Sequence, residues 1–288
     1  MNKKPTVTIG IPAYNEEANI GNLLKSLVSQ NTGSFKLESI LVANDASTDN
    51  TVKMVKKYAR KYKLIKLIDD GKRLGKATRL NNFYKSIESD ILISFDADVI
   101  LANNGVLEEI IKTYENNKVG LVGGYDKPAN PRNWVEKMCA TWIEVWDQAR
   151  TNLKDPHIVH NHISRISSSK RELFKKVRYA KDLVEDDPYL YLKAKEMGYE
   201  FRFASRAVVY YRVPATLGDF FKQSARFLSS KGRLARIFGD WIYEEFEISS
   251  SDKINALWVI FKKEPIYLPI AIFFQIILRL HVRFIQTP

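Results

Sequence analysis

Carboxylates stand where several apolar runs of this chain stop. Asp96-Ala97-Asp98 closes the run ILISF. Two carboxylates at i and i+2 beside a loop can share a hard cation, and oxygen ligands of this kind suit Mg²⁺ or Mn²⁺, which also take substrate phosphate oxygens. Asp-x-Asp is common in surface loops, so its weight here rests on its place at the end of an apolar strand. Asp45 ends a second run, LESILVAN, and by itself is equally a turn or helix-cap residue. Gly75-Lys76 precedes a helical pattern in KRLGKATRLNN. A lysine at a helix start can meet phosphate, although the P-loop spacing is absent and a solvated lysine is the alternative. Glu185-Asp186-Asp187 precedes Pro188 and an apolar helix. These three acids complement a helix dipole, and their mutual repulsion also raises a carboxyl pKa toward the range of a general base. His157, His160 and His162 cluster in HIVHNH without a cysteine or carboxylate at ligand spacing, so they read as polar residues lining a cleft rather than as a metal site.

These residues need elements to position them, and the first 125 residues supply a regular alternation. Strands are expected at Thr6–Ile11, Leu37–Ala43, Ile65–Ile68, Ile91–Asp96 and Val119–Gly123. Helices are expected at about Glu16–Ser29, from a Thr48 or Asp49 cap through Tyr62, at Gly75–Ser86 and at Val106–Tyr114. This order implies a mostly parallel α/β sheet, whose ligands bind beyond the carboxyl ends of the strands, in the loops after Ile11, Ala43 and Phe95. The second half is less regular. It predicts helices at Pro131–Arg150 and Pro188–Met197 and strands at Glu200–Phe203 and Ala207–Tyr211. It also predicts one amphipathic helix from Gly218 to about Phe238, with Phe220, Phe227, Leu234 and Trp241 at seven-residue spacing.

The chain has 288 residues, 45% hydrophobic and 27% charged, which fits a globular protein with a real core and argues against disorder. The single cysteine, Cys139, excludes a disulfide framework or a multi-cysteine metal site. The opening MNKKPTVTIGIP lacks the apolar stretch of a signal peptide. A net charge of +12 suits nucleotides, nucleic acid or anionic lipid. The uncharged runs Ile254–Phe261 and Pro265–Leu278 are each shorter than the about 20 residues of a spanning helix, and they read as interfacial, with a buried core helix as the alternative.

Taken together, VTIGIPAYNEEANIGNLLKSL, LVANDASTDNT, GKATRLNN and ILISFDADV resemble, in order, the motifs of the family 2 glycosyltransferases of GT-A fold, membrane-associated type. Thr78-Arg79 stands where that family usually has small residues. The resemblance implies a GT-A, Rossmann-like mixed sheet flanked by helices, with a catalytic domain at 1–215 and C-terminal amphipathic, interfacial helices at 216–288. It implies that Pro12, Tyr14, Glu16 and Asp45 surround the nucleobase and ribose, that Lys76 meets the diphosphate, and that Asp96 and Asp98 bind donor and metal. The family's Glu-Asp pair, counted back from Leu190 and from Gly198-Tyr199, falls on Asp186-Asp187. Asp187 is then the expected base, with Asp186 second. Gln223, Arg226 and Phe227 resemble the Gln-x-x-Arg-Trp motif near the diphosphate and acceptor, with Phe in place of Trp.

The implied reaction is an inverting, Mg²⁺- or Mn²⁺-dependent transfer of a sugar from a nucleotide sugar, a UDP-sugar before GDP-mannose. The expected acceptor is a lipid or lipid-linked molecule such as a polyprenyl phosphate, with a soluble saccharide or polysaccharide acceptor as the alternative. A nucleotidyltransferase fits less well, because the first loop, PAYNEE, is acidic and lacks glycine. A nucleic-acid-binding module would explain the charge but not the strand-end aspartates. The basic positions Lys222, Arg226, Lys231, Arg233 and Arg236, with Trp241, Trp258 and Tyr267 as interfacial anchors, place the expected enzyme on the cytoplasmic face of a membrane, peripheral or monotopic.

Overall fold

The computed structural model describes residues 4–286 apart from 152, 154, 182, 184 and 229. The chain divides into two compact units, one of residues 1–127 with 161–211 and one of residues 128–160 with 212–288.

The first unit is built on an eight-stranded sheet. Its strands are β1 (Thr6–Ala13), β2 (Lys36–Asn44), β3 (Ile65–Asp69), β4 (Ile91–Phe95), β5 (Val99–Leu101), β6 (Val119–Pro128), β7 (Ile166–Lys170) and β8 (Glu200–Tyr211). They lie in the order β3-β2-β1-β4-β7-β6-β8-β5. β1 pairs in parallel with β2 and β4, and β2 with β3. β4 with β7, β6 with β7 and β5 with β8 are antiparallel. The sheet is thus mixed, and its parallel half is the half whose strands alternate with helices in the sequence.

The central strand β1 is β-branched, and Val7, Ile9 and Ile11 are fully buried, as expected for a strand covered on both faces. Helix α1 (Ile20–Val28) covers the sheet with Ile20, Leu23, Leu24 and Leu27, spaced for one helical face. Helices α2 (Thr51–Lys61), α3 (Lys76–Ser86) and α4 (Val106–Lys112) complete the alternation. Helix α3 lies hard against β1: a Cβ added to Gly10 would meet the Phe83 ring at 2.8 Å. The start of α3 reaches the carboxyl end of β1, where Lys76 and Pro12 line one cleft.

The irregular half contains features not expected from the pattern. β7, with the sequence ISSSK, sits between β4 and β6. The two strands expected within 200–211 form one continuous strand, β8.

The second unit is helical. Helix α5 (Trp134–Thr151) packs with α11 (Ser250–Lys263) and α12 (Tyr267–Gln286) through Val145, Ala149, Ala256, Ile260 and Leu268. Residues 128–160 therefore group with the C-terminal helices, whereas a division at 215/216 leaves them with the catalytic domain. The single amphipathic helix expected from Gly218 to Phe238 is instead two helices, α8 (Leu217–Leu228) and α9 (Ser230–Phe238). Gly239, at φ +90°, stops α9, so Trp241 leaves the heptad stripe and precedes the short α10 (Ile242–Glu245). Phe220 and Leu234 from that stripe are buried within the protein rather than presented as an outer face. Among the described residues, no helix is long and apolar enough to cross a membrane.

Candidate active site

The parallel strands end together, and the loops beyond them converge. Asp96 directly follows β4, and its backbone N–H donates to the Arg165 carbonyl at the start of β7 (3.0 Å). Helix α3 brings Lys76, its first residue, to the same place. A second short helix, α6 (Arg171–Phe174), leads through a loop to α7 (Asp186–Glu196), whose first turn carries Asp186 and Asp187. Lys76 Nζ bridges two of these acids, 2.8 Å from Asp96 Oδ1 and 2.9 Å from Asp186 Oδ2. Pro12, Lys76, Asp96, Arg165, Asp186 and Asp187 line one cleft.

Electrostatics in the cleft are strongly perturbed. Burial and the neighbouring Asp186 push the Asp187 carboxyl well above the usual range, with Lys76 acting against them. Burial alone would lower Lys76, but Asp186, Asp96 and Asp187 hold its ammonium well above the ordinary lysine value. Asp98 is raised by burial and by Asp96, against the opposing pull of Arg165. Glu16 is also raised by burial, with Asp98 and Asp96 adding to the effect, so its carboxyl belongs to the same acidic cluster.

Arg165 was not apparent in the sequence. Its guanidinium stacks on the Tyr211 ring at 3.5 Å, bonds Asp126 Oδ2 at 3.1 Å and lies 3.7 Å from Asp98 Oδ2. The local signal is one charge within the small, polar stretch SRISSS.

Two carboxylates, one with an unsatisfied oxygen, have the chemistry to take a divalent cation. Asp98 Oδ1 is buried with no hydrogen-bond partner, a costly condition that a cation would relieve. Among the described residues no group of three or more His, Cys, Asp and Glu forms a closed metal site. One or two carboxylates completed by substrate phosphate is nevertheless the usual arrangement for Mg²⁺. Asp96 and Asp98 fit such an ion.

Beside the cleft, the loops after β1 and β2 are stitched together. Asn15 N donates to Ser47 Oγ (3.0 Å), Thr48 N to Asn15 Oδ1 (2.8 Å) and Glu16 N to Thr51 Oγ1 (2.7 Å). Asn15 and Ala46 both adopt left-handed φ, +54° and +60°. Tyr14 stands at this edge with the Arg73 guanidinium 3.4 Å from its ring centre.

Asp45 is engaged inside the protein. It accepts from Leu74 N (2.8 Å), Gly75 N (3.0 Å), Arg79 Nε (3.0 Å) and Arg73. Burial raises its carboxyl, but these donors outweigh that effect and hold it below the ordinary value. Gly75 reaches it from φ +83°, a conformation open mainly to glycine. Arg79, only 1% exposed, also forks onto Asp70 at 2.8 and 2.9 Å, which accounts for an arginine where the family usually has a small residue.

His162 is fully buried rather than lining a cleft, and His160 stacks against Trp146 in the second unit. Gln223, Arg226 and Phe227 lie on α8 of the second unit. The side chains of Arg226 and Phe227 lie outside the described residues.

The model of the family described as "Glycosyl transferase family 2" matches residues 8–178. A "Probable glycosyltransferase YdaM" of Bacillus subtilis is 26% identical over 239 residues, covering 78% of this chain and 55% of that protein. A "Poly-beta-1,6-N-acetyl-D-glucosamine synthase" of Staphylococcus epidermidis is 26% identical over 223 residues, covering 75% and 52%. The chain thus spans about half the length of these relatives. Among solved structures, a mannosyltransferase from Pyrobaculum calidifontis in complex with GDP-Man and Mn²⁺ aligns with a TM-score of 0.63 at 20% identity, covering 95% of this chain and 74% of that one. TarS of S. aureus, residues 1–349 in complex with UDP-GlcNAc, aligns with a TM-score of 0.58 at 17% identity, covering 89% and 81%. The fold of the chain is that of the GT-A glycosyltransferases.

Proposed function

This chain belongs to glycosyl transferase family 2, and we propose that it is an inverting glycosyltransferase that moves a sugar from a nucleotide sugar to a lipid or lipid-linked acceptor. The observation that carries this reading is the convergence of Lys76, Asp96, Asp186 and Asp187 in one cleft at the carboxyl edge of the parallel strands, with Asp98 beside them against Arg165. The family match sets aside the nucleotidyltransferase alternative.

In this reading the Asp187 carboxylate takes the proton of the acceptor hydroxyl as that oxygen attacks the anomeric carbon from the face opposite the leaving group. Its raised pKa makes it a stronger base than an exposed aspartate. A single displacement inverts that carbon. Lys76 meets the departing diphosphate and holds Asp186 away from the base role through their ion pair. Asp98, with Asp96 behind it, would hold Mg²⁺ or Mn²⁺, which when bound supplies charge neutralisation for the leaving nucleoside diphosphate. Tyr14 and Arg73 form the face for the nucleobase, with Pro12 lining the cleft and the Glu16 carboxyl in the electrostatic reach of Asp98 and Asp96. Asp45 serves this face by fixing Arg73 and the loop at Leu74-Gly75. Gln223, Arg226 and Phe227 are assigned to the diphosphate and acceptor by their motif.

The donor nucleotide is proposed as UDP, with GDP as its rival, since the structural relatives bind GDP-Man in one case and UDP-GlcNAc in the other. The acceptor reading is supported by the second unit. Ile254, Trp258 and Phe261 are exposed along one face of α11, and Phe273, Ile276 and Leu280 along one face of α12. Lys253, Lys262 and Lys263 accompany them, a composition suited to an anionic membrane surface on the cytoplasmic side. A saccharide acceptor is the second reading, favoured by the polysaccharide named in one relative.

The test is a screen of nucleotide sugars for donor hydrolysis with Mn²⁺, Mg²⁺ or chelator, followed by product identification on a lipid extract and on oligosaccharides. Sugar on a lipid is the expected product. Labelled oligosaccharide alone would transfer the assignment to the saccharide reading.

A further inference from the structure

The loop before β7 contains one buried side chain that ties the rigid sheet to the helix carrying the proposed base. We propose that His162 is a positioning residue that anchors the first turn of α7 and thereby aims the Asp187 carboxyl at the acceptor. The inference rests on the reading of Asp187 as the base.

His162 Nδ1 lies 2.9 Å from the Asp187 carbonyl oxygen, and Nε2 lies 2.9 Å from Ser167 Oγ. A carbonyl only accepts, so Nδ1 carries the proton and Nε2 presents a lone pair to the serine hydroxyl, which donates. One tautomer therefore satisfies both contacts. Burial pulls the imidazole down to about 3, so this neutral form persists through the physiological range.

The ring has no freedom to turn. It meets Phe201 edge-on at 5.3 Å and lies tilted on Tyr191 at 6.3 Å. Gly123 leaves the space for this segment: a Cβ there would come 2.8 Å from the Asn161 carbonyl and 3.1 Å from the Phe201 ring. Ser167 in turn sits in β7 opposite Ser94 of β4 and Gly123 of β6, so the anchor point is the middle of the sheet. The strand that ends in Asp96 and the helix that begins with Asp186-Asp187 are thus joined through Ser167 and His162. With its carbonyl held, Asp187 keeps only its own side-chain torsions to settle.

The experiment compares His162→Leu, His162→Asn, Ser167→Ala, Asp187→Asn and the double variant His162→Leu/Asp187→Asn. Turnover is measured with UDP-GlcNAc and GDP-mannose, and nucleotide binding with UDP and GDP in Mn²⁺. Misplacing a reacting group by about 1 Å can cost about 10²-fold, so a loss of about 10–100-fold is the size at issue. His162→Leu is expected to lose that much in kcat with donor KM and nucleotide binding unchanged. His162→Asn, whose amide N–H replaces Nδ1–H, is expected to recover most of it. Asp187→Asn is expected to lose about 10²–10⁴-fold, with the double variant no worse than Asp187→Asn alone, since residues acting as a unit are not additive. If His162→Leu does not fold, Ser167→Ala carries the test, and an intermediate loss of kcat is expected. Wild-type kcat in His162→Leu or, in its place, Ser167→Ala, alongside the full loss in Asp187→Asn, would overturn the anchor while leaving the base in place. So would a KM effect without a kcat effect, or losses that multiply in the double variant. A near-normal Asp187→Asn would overturn the base assignment and the anchor with it.

Discussion

Lys76 and Arg165 face five acids, Asp96, Asp98, Asp126, Asp186 and Asp187, and this imbalance governs how the cleft behaves. Asp98→Asn replaces a carboxylate of the pair proposed to hold the cation. It is expected to abolish Mn²⁺ binding, read by the electron paramagnetic resonance of free Mn²⁺, and to leave the circular dichroism unchanged. A raised carboxyl is the first to take a proton as pH falls, so activity that depends on ionised Asp187 disappears at higher pH than an exposed aspartate would dictate. The acidic limb of kcat against pH should therefore lie above the ordinary carboxylate value of about 4. Arg79 belongs to stability instead. It is enclosed with Asp45, and removing one partner of a buried pair costs about 3–5 kcal/mol, so Arg79→Met should lower stability to urea by that order. Asp45 is held below its ordinary value, and Asp70 is lowered to about 2 chiefly by its bonds to Arg79. The stability they lend is present above the ordinary carboxylate value and lost as pH falls toward 2, and Arg79→Met should flatten that acid dependence.

The elements that position the cleft were legible in the sequence wherever one strand is buried on both faces and is followed by one amphipathic helix. β1, β2 and β4 and their helices are of that kind, and Asp45, Lys76 and Asp96 could be placed at their ends before any coordinates. β7 could not, because ISSSK has neither apolar alternation nor bulk, and its burial comes from its neighbours β4 and β6 rather than from its own composition. Arg165 and Ser167 were hidden with it, and His162, visible as one of a histidine cluster, gave no sign that it is buried against β7. The same limit explains the division of the expected long helix: heptad spacing at Phe220 and Leu234 records burial inside the second unit, and a spacing cannot say which surface is being covered. Asp45 was recognised by position, but the Arg79 and Gly75 donors that engage it come from a different element. Packing between α3 and β1 is the mechanical link to Lys76. Gly10→Ala should push the Phe83 ring and cost about 1–3 kcal/mol of stability by overpacking, with a loss of turnover larger than that of nucleotide binding.

At the scale of the whole molecule, one unit is built on the sheet and carries the proposed site, and the other is helical and carries an exposed apolar and basic face. Deleting α11 and α12 would strip Ala256, Ile260 and Leu268 from the core they share with Val145 and Ala149, so point changes are the cleaner probe of that face. Trp258→Glu with Phe273→Glu should leave the fold intact and abolish sedimentation with anionic liposomes at low salt. Equal sedimentation of wild type and variant would remove the membrane proposal. The central claim is that Asp187 performs base chemistry on a donor held beside Asp96 and Asp98. The measurement that tests it most directly is sugar transfer by wild type, Asp187→Asn and Asp186→Asn, each with Mn²⁺ and with chelator. Acid–base catalysis typically contributes about 10²–10⁴-fold. The account predicts a loss of that size in Asp187→Asn with nucleotide binding retained, and no transfer by any of the three in chelator. Transfer undiminished in chelator, or a near-normal Asp187→Asn beside an inactive Asp186→Asn, would contradict it.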